Sequence, residues 1–474
     1  MAAEDSEHVW AALGGQPELL ERVTYGPSGG LQAAVPVMTL ARTVTASCAL
    51  AAAELLARRS SGAVPAVRVD DGAVATAFTS ERHLLVDGRP GATFAPLSRF
   101  WPTADGWLRT HANYPHHRTR LLAALGLPDS DDTDTLVARV ADALAARPGT
   151  ESADAVYAAG GLAVAVRTAA DWAASGPGQA AAARPLVQWL PAGPGPGRAL
   201  PPAALPAEGV RVLDLTRVIA GPVATRTLGL LGADVLRVDA PGLPEMADAH
   251  ADTGFGKRST ALDLARRGDR ETFEELLATA DVVVTGYRPG ALDRHGLSAA
   301  ALLDRHPGLV VAQLSAWGFD GPWADRRGFD SLVQAASGIA LLQAGPDGRP
   351  GALPGQFLDH GTGYLIAAAV LRALTERHTS GGGRHVRFAL ATTAAWLLDG
   401  ITAPGPEAPG TPYDPGPFLT ETDSPMGRLR YALPPLDYDG GPATWSRPPG
   451  RPASDRPCWS PERPARPERT AEQD

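Results

Sequence analysis

Asp330 is the residue of this sequence best placed for covalent chemistry. It closes the Gly-rich stretch SAWGFDGPWADRRGFDSLVQAASG, residues 315–338, at the start of an Ala/Leu/Val helix. A carboxylate held at a strand's carboxyl end beside a helix N-terminus is oriented and kept ionised by nearby N–H groups. An ionised Asp can attack an activated acyl carbon. The same position suits an N-cap, worth about 1 kcal/mol, and the local pattern alone favours capping over catalysis.

Three further clusters carry polar chemistry. GFGKRS, residues 254–259, places Lys257 and Arg258 on a Gly-flanked loop, an arrangement suited to phosphate. Lys257 is the only lysine among 43 Lys and Arg residues, so it survives where Arg would serve for a mere surface charge. TGYRPGALDRHG, residues 285–296, leaves a buried strand and sets Tyr287, Arg288 and Arg294 at its carboxyl end, the edge at which open α/β sheets bind ligands. Asp359-His360 precedes a helix at 364–378, and a lone pair of this kind is more often a cap with a surface histidine than an acid/base couple. The turn DLTRVIAGP, residues 214–222, has only Gly221 where a dinucleotide loop needs G-x-G-x-x-G, which leaves a nicotinamide-dependent dehydrogenase a weak alternative.

The elements that must position these residues alternate strand and helix. Strands are predicted at 210–215, 235–238, 282–285 and 309–314, with helices at 222–231, 270–277 and 299–305 between them. Continuous apolar strands in such alternation imply an α/β fold with an open parallel Rossmann-like sheet covered on both faces. This large domain spans 210–401. Ahead of it lie an N-terminal extension (1–35), read as loosely attached, a smaller α+β domain (36–190) and a Pro/Gly linker (191–209). Residues 402–474, rich in Pro, Gly and Arg, are expected to be a largely disordered tail. LLARRSSGAVPAVR (55–68) and LTERHTSGGGRHVR (374–387) form an internal repeat, each a helix, a Ser-Gly turn and a strand.

Composition bounds the function. With 474 residues, 44% apolar and 20% charged, the chain is a globular protein of more than one domain. A net charge of −9 argues against nucleic acid as partner. Cys48 and Cys458 have no metal-ligand spacing, so neither metal nor disulfide is expected. The acidic N-terminus and the lack of an evident membrane-spanning apolar run lead to the expectation of a cytoplasmic protein without a membrane anchor.

The ordered blocks DLTRVIAGP, LGADVLRVD, GFGKRSTALDL, ADVVVTGYRPGALDRHGL, HPGLVVAQLSAWGFDGP, RRGFDSLVQAASG and TERHTSGGGRHVRFAL resemble the family III CoA-transferases over about residues 210–390. The resemblance implies coenzyme A, carried as acyl-CoA, as the ligand and a carboxylic acid as the acceptor. It makes Asp330 the nucleophile, reversing the local preference for a cap. It also implies coenzyme contacts at Val218, Ala220, Lys257, Arg258, Tyr287, Arg288 and Arg294. Residues 36–190 resemble the family's later part more loosely, best at Asp105–Trp107, so the chain looks permuted or like a truncated tandem. A homodimer is implied, since the family forms interlocked rings.

Three departures stand against the resemblance: Gly286 replaces an Asn, the G-D-x-x-R block is missing from PGLPEMADAHAD, and no Gly-rich flap is found beyond the turn at 381–383. Two alternatives follow. One is an α-methylacyl-CoA racemase pairing Asp330 with His306 or His360, and the other is a degenerate acyl-CoA-binding protein without turnover.

Overall fold

The computed structural model describes residues 2–27, 29–91, 94–193, 199–401 and 413–461. Its centre is a seven-stranded sheet built from β1 (Gln188–Leu190), β2 (Arg211–Leu215), β3 (Asp234–Asp239), β4 (Lys257–Ala261), β5 (Val282–Thr285), β6 (Val310–Ser315) and β7 (Arg384–Ala389). The spatial order is β4-β3-β2-β5-β6-β7-β1, with every pair parallel except β7 with β1. The strand order therefore reverses between β2 and β5. At such a switch point the connections leave for opposite faces of the sheet and open a crevice at the strands' carboxyl ends.

Four helices matter to the site: α1 (Val37–Ser60), α2 (Ala220–Leu230), α3 (Asp330–Ala336) and α4 (Phe357–Ser380). Helices α1 and α4 each run 24 residues and lie side by side. Each ends in a residue with positive φ, Ser61 and Gly381, so both copies of the repeat do form a helix, a turn and a strand. Helix α4 also packs on α2. That contact needs Gly363, where an added Cβ would meet the Ala220 carbonyl at 2.7 Å.

Helix α1 thus belongs to the core of the sheet domain, not to a separate domain over 36–190. It is apolar enough and long enough to cross a bilayer, unlike the reading from sequence, but 89% of its most apolar window is buried within the protein. The unit that does stand apart is smaller. It comprises an antiparallel sheet of Phe100–Thr103, Gly106–Thr110 and Ala163–Ala165 with the helices Pro115–Leu125, Thr133–Ala145 and Gly149–Ala158, packed around their own core.

Both termini depart from expectation. Residues 2–12 form a helix whose Val9 and Trp10, with Leu13 beyond it, are buried in the main core. The Arg372 guanidinium reaches from α4 to the Gly14 carbonyl, 2.7 Å away, and so ties this extension down. Residues 413–461, expected to be disordered, form the strands Leu419–Ser424, Gly427–Ala432 and Asp437–Tyr438 and then run along the open edge of the sheet at β4. Ser259 and Asp455 exchange two hydrogen bonds of 2.8 Å, and the Trp445 indole donates to the Arg226 carbonyl at 2.8 Å. Pro-rich composition mimics disorder because Pro cannot donate to a ladder. The non-proline residues here still supply enough donors and aromatic surface to cover a sheet edge. The expected tail at 402–412 and 462–474, and the linker at 194–198, lie outside the described residues.

The two long helices are joined across the core by a buried ion pair, Glu54 with Arg372. Arg372→Met would leave the Glu54 carboxylate buried and unpaired, a change that costs about 3 to 5 kcal/mol. Chemical denaturation should show that loss for the single variant and a clearly smaller one for Glu54→Leu combined with Arg372→Met.

Candidate active site

The turn after β2 is shaped from beneath by Asp214. Its Oδ1 accepts the Thr216 N–H at 3.0 Å, and its Oδ2 accepts the Thr225 hydroxyl at 2.6 Å and the Lys257 ammonium at 3.0 Å. Lys257 donates also to the Pro222 carbonyl, 2.9 Å away, in the first turn of α2. Burial pulls the Lys257 ammonium down to about 8, with Asp214 opposing that fall. The lone lysine is therefore an internal counter-ion, and the expectation that it contacts coenzyme is corrected: both its hydrogen bonds are spent inside the fold. Arg258 is likewise engaged elsewhere, paired with Asp234 at 2.8 Å and with the Cys458 carbonyl of the C-terminal segment.

The other five expected coenzyme contacts, Val218, Ala220, Tyr287, Arg288 and Arg294, line one cavity of about 650 Å³ at the switch point. The opposite wall comes from the small unit through Tyr114, His116, His117 and Arg120. Arg217, Arg326 and Arg327 add further basic side chains to the lining. Arg120 and Arg327 converge on the Gly160 carbonyl, at 3.2 and 3.5 Å, and among the described residues neither they nor Arg288 pair with a carboxylate. Burial and then the charges of Arg288 and Arg120 pull the Arg327 guanidinium down. Such a cluster of unneutralised cations suits a polyanionic ligand. Burial keeps the neighbouring imidazoles uncharged: His117 falls to about 3, and His111 goes well below its ordinary range. Among the described residues no group of three His, Cys, Asp or Glu converges as metal ligands.

Asp330 opens α3 and is 1% exposed. Its side chain is not an N-cap: the cap position is Phe329, and the carboxylate is clamped from elsewhere. Oδ2 accepts the Asp359 N–H at 2.9 Å, and Oδ1 accepts the Gln334 amide. The Gln334 carbonyl takes the Leu353 N–H at 2.9 Å, which leaves its NH₂ to face Asp330. Burial pushes Asp330 up to about 6 against these hydrogen bonds. Burial, then Asp330 and Glu81, push the Asp359 carboxyl well above the carboxylate range. Burial raises both carboxyls, and the charge of Asp330 adds to the rise at Asp359, so the two titrate together.

Asp359 and Phe329 line the cavity; Asp330 does not, and it reaches the lining as the residue after Phe329 and the acceptor of the Asp359 N–H. The Phe329 ring stacks on His111 of the small unit with centroids 3.8 Å apart. His360 is fully buried and turned away, its Nε2 3.1 Å from Glu81. Burial raises Glu81, but the bond and charge of His360 outweigh it and hold that carboxyl low. Neither His360 nor His306 lines the cavity. Gln334, the pairing of Asp359 with Asp330, Arg120 and Arg327 were not singled out from sequence. The Gln four residues after Asp330 was the one local signal for any of them.

Residues 207–413 match the family model described as CoA-transferase family III. A "Probable fatty acyl-CoA transferase" of Mycobacterium tuberculosis is 36% identical over 207 residues, covering 41% of this chain and 52% of the relative. The formyl-CoA:oxalate CoA-transferase of Streptomyces avermitilis is 35% identical over 194 residues, covering 39% and 47%. The chain thus spans about half the length of the curated relatives it matches. Among solved structures, a Mycobacterium tuberculosis protein aligns with a TM-score of 0.39 at 36% identity, covering 41% of this chain and 57% of that one. A CAIB/BAIF family protein from Brucella suis aligns at 0.38 and 28% identity, covering 47% and 64%. The portion of the chain that builds the parallel sheet, the switch-point turn and Asp330, residues 207–413, belongs to CoA-transferase family III.

Proposed function

We propose that this protein is a CoA-transferase that moves coenzyme A from an acyl-CoA to a carboxylic acid through a covalent intermediate on Asp330. The observation that carries this reading is the Asp330 carboxylate itself. It is buried beside a basic cavity, pinned by the Asp359 N–H and the Gln334 amide, and set next to a second buried carboxyl whose ionisation is opposed by burial and by the Asp330 charge.

The exchange balances without metal or redox partner. An Asp330 oxygen attacks the thioester carbon, the C–S bond breaks and CoA leaves as thiolate, giving a mixed anhydride. The thiolate attacks the Asp330 carboxyl carbon, releasing the donor acid and leaving an aspartyl-CoA thioester. The acceptor carboxylate attacks that thioester and expels the thiolate, which then attacks the acceptor's acyl carbon. Acyl-CoA product departs and the Asp330 carboxylate returns. Each step exchanges one acyl bond for another of similar energy, so the thioester is conserved provided water is kept out. The stacked Phe329 and His111 rings supply such a barrier.

A racemase reading draws support from the same carboxyl pair, since one ionised and one protonated acid could remove and return an α-proton. Solvent deuterium entering the α-carbon without CoA transfer would favour it.

Incubation with short-chain acyl-CoAs followed by hydroxylamine or borohydride should leave a mass change on the Asp330 peptide. Asp330→Asn should bind CoA yet lower turnover by several powers of ten; unchanged turnover would sink the covalent reading. Because Asp330 must be ionised to attack and its carboxyl is raised to about 6, kcat/KM should fall as pH drops through about 6, tenfold per unit below it. A profile flat down to pH 4.5, well inside that window, would contradict it.

A further inference from the structure

Glu245 takes no part in exchange at Asp330, yet beyond the adjacent Met246 N–H, groups from three separate segments converge on its carboxylate. The Tyr114 hydroxyl of the small unit donates to Oε1 at 2.6 Å, and the Val218 N–H donates to Oε2 at 2.9 Å. Arg237 of β3 lies 3.2 Å from the same oxygen, and Arg217, itself stacked over the Tyr114 ring, lies 3.6 Å away. The side chain is 1% exposed, so every one of these partners replaces water.

The Val218 contact is the informative one. Val218 has φ of +71°, a left-handed conformation that a β-branched residue adopts only when its surroundings enforce it. Asp214 fixes the start of this turn through Thr216, and α2 fixes its end. Between them Glu245 is the group that takes the Val218 N–H. An ionised oxygen is a stronger acceptor than a neutral amide carbonyl, and Arg237 and Arg217 are the cations that keep it ionised.

We propose that Glu245 is a positioning residue: it holds the Val218 turn in its strained, ligand-facing shape and, through Tyr114, links that turn to the small unit across the cavity. The proposal rests on the reading of this turn as part of the coenzyme site. Glu245→Gln would give Val218 only a neutral acceptor and would turn an NH₂ toward groups that are already donors. Adding Val218→Gly would remove the need for enforcement, because glycine takes positive φ freely.

Two measurements test this. Hydrogen exchange of the 216–219 amides in the whole chain should quicken by roughly tenfold or more in Glu245→Gln, and by a smaller factor in Tyr114→Phe, the milder variant to use if the first fails to fold. Calorimetry with CoA should show Kd raised by about tenfold in Glu245→Gln and largely restored in the double variant, while kcat changes by less than about threefold. Unchanged exchange at 216–219, a double variant as weak as the single one, or a loss confined to kcat would overturn the proposal. A wild-type chain that does not bind CoA would instead defeat the functional reading, and the exchange result would still decide the role of Glu245.

Discussion

The ion pair between Asp214 and Lys257 is the interaction on which the rest of the site depends. It lies beneath the switch point, with side chains 0% and 2% exposed, and each partner uses its spare hydrogen-bonding capacity on backbone that leads into the cavity. Asp214 holds Thr216, and with it the turn carrying Arg217 and Val218. Lys257 holds the Pro222 carbonyl, and with it the start of α2. Helix α2 packs on α4 through Gly363, and α4 presents the Asp359 N–H to Asp330. A buried pair of this kind adds little net stability because desolvation offsets attraction. Its effect is to leave one arrangement of the turn and α2 with all charges satisfied.

The same constraint recurs at each carboxylate along the sheet's carboxyl edge. A parallel sheet buried on both faces has only this edge for polar work, and every acid there must be compensated or remain protonated. Glu245 is held down to about 2 chiefly by Arg237 and Arg217 against its burial. Among the described residues Asp330 and Asp359 face no cation at hydrogen-bonding distance, and burial pushes both up. One edge therefore carries a structure-holding acid held low by two cations and a buried carboxyl pair raised for want of them.

Arginine dominates the cationic chemistry and does two separate jobs. Where a carboxylate or carbonyl is buried, the guanidinium fork joins distant segments: Arg59 bonds the carbonyls of Pro201, Pro206 and Glu208, and Arg377 pairs with Asp281. In the cavity lining, Arg120, Arg288 and Arg327 have no carboxylate partner among the described residues. A net charge of −9 over the chain thus coexists with a local field fit for an anionic ligand.

The parallel strands and their helices were legible in the sequence because continuous apolar runs of four to six residues between turn signals leave few alternatives. The expected strands agree with β2, β3, β5 and β6 to within a residue or two at each end, and the helix-turn-strand repeat was visible as identical residues. Tyr287, Arg288 and Arg294 could be nominated from their place after a buried strand, whereas Val218, Ala220 and the role of Asp330 came from the resemblance to the family, local sequence alone favouring a cap at Asp330. Tertiary structure alone decided what each side chain meets. Lys257 and Arg258 are adjacent in sequence and read as a phosphate loop, yet on a strand they point to opposite faces, one to Asp214 and the other to Asp234 and the C-terminal segment. The clamp of Gln334 and Asp359 on Asp330, the contribution of Tyr114 and Arg120 from across the cavity, the burial of α1 against α4 and the docking of residues 413–461 all join segments far apart in the chain. No local pattern encodes such pairings, because the energy that selects them arises only when the partners are desolvated together.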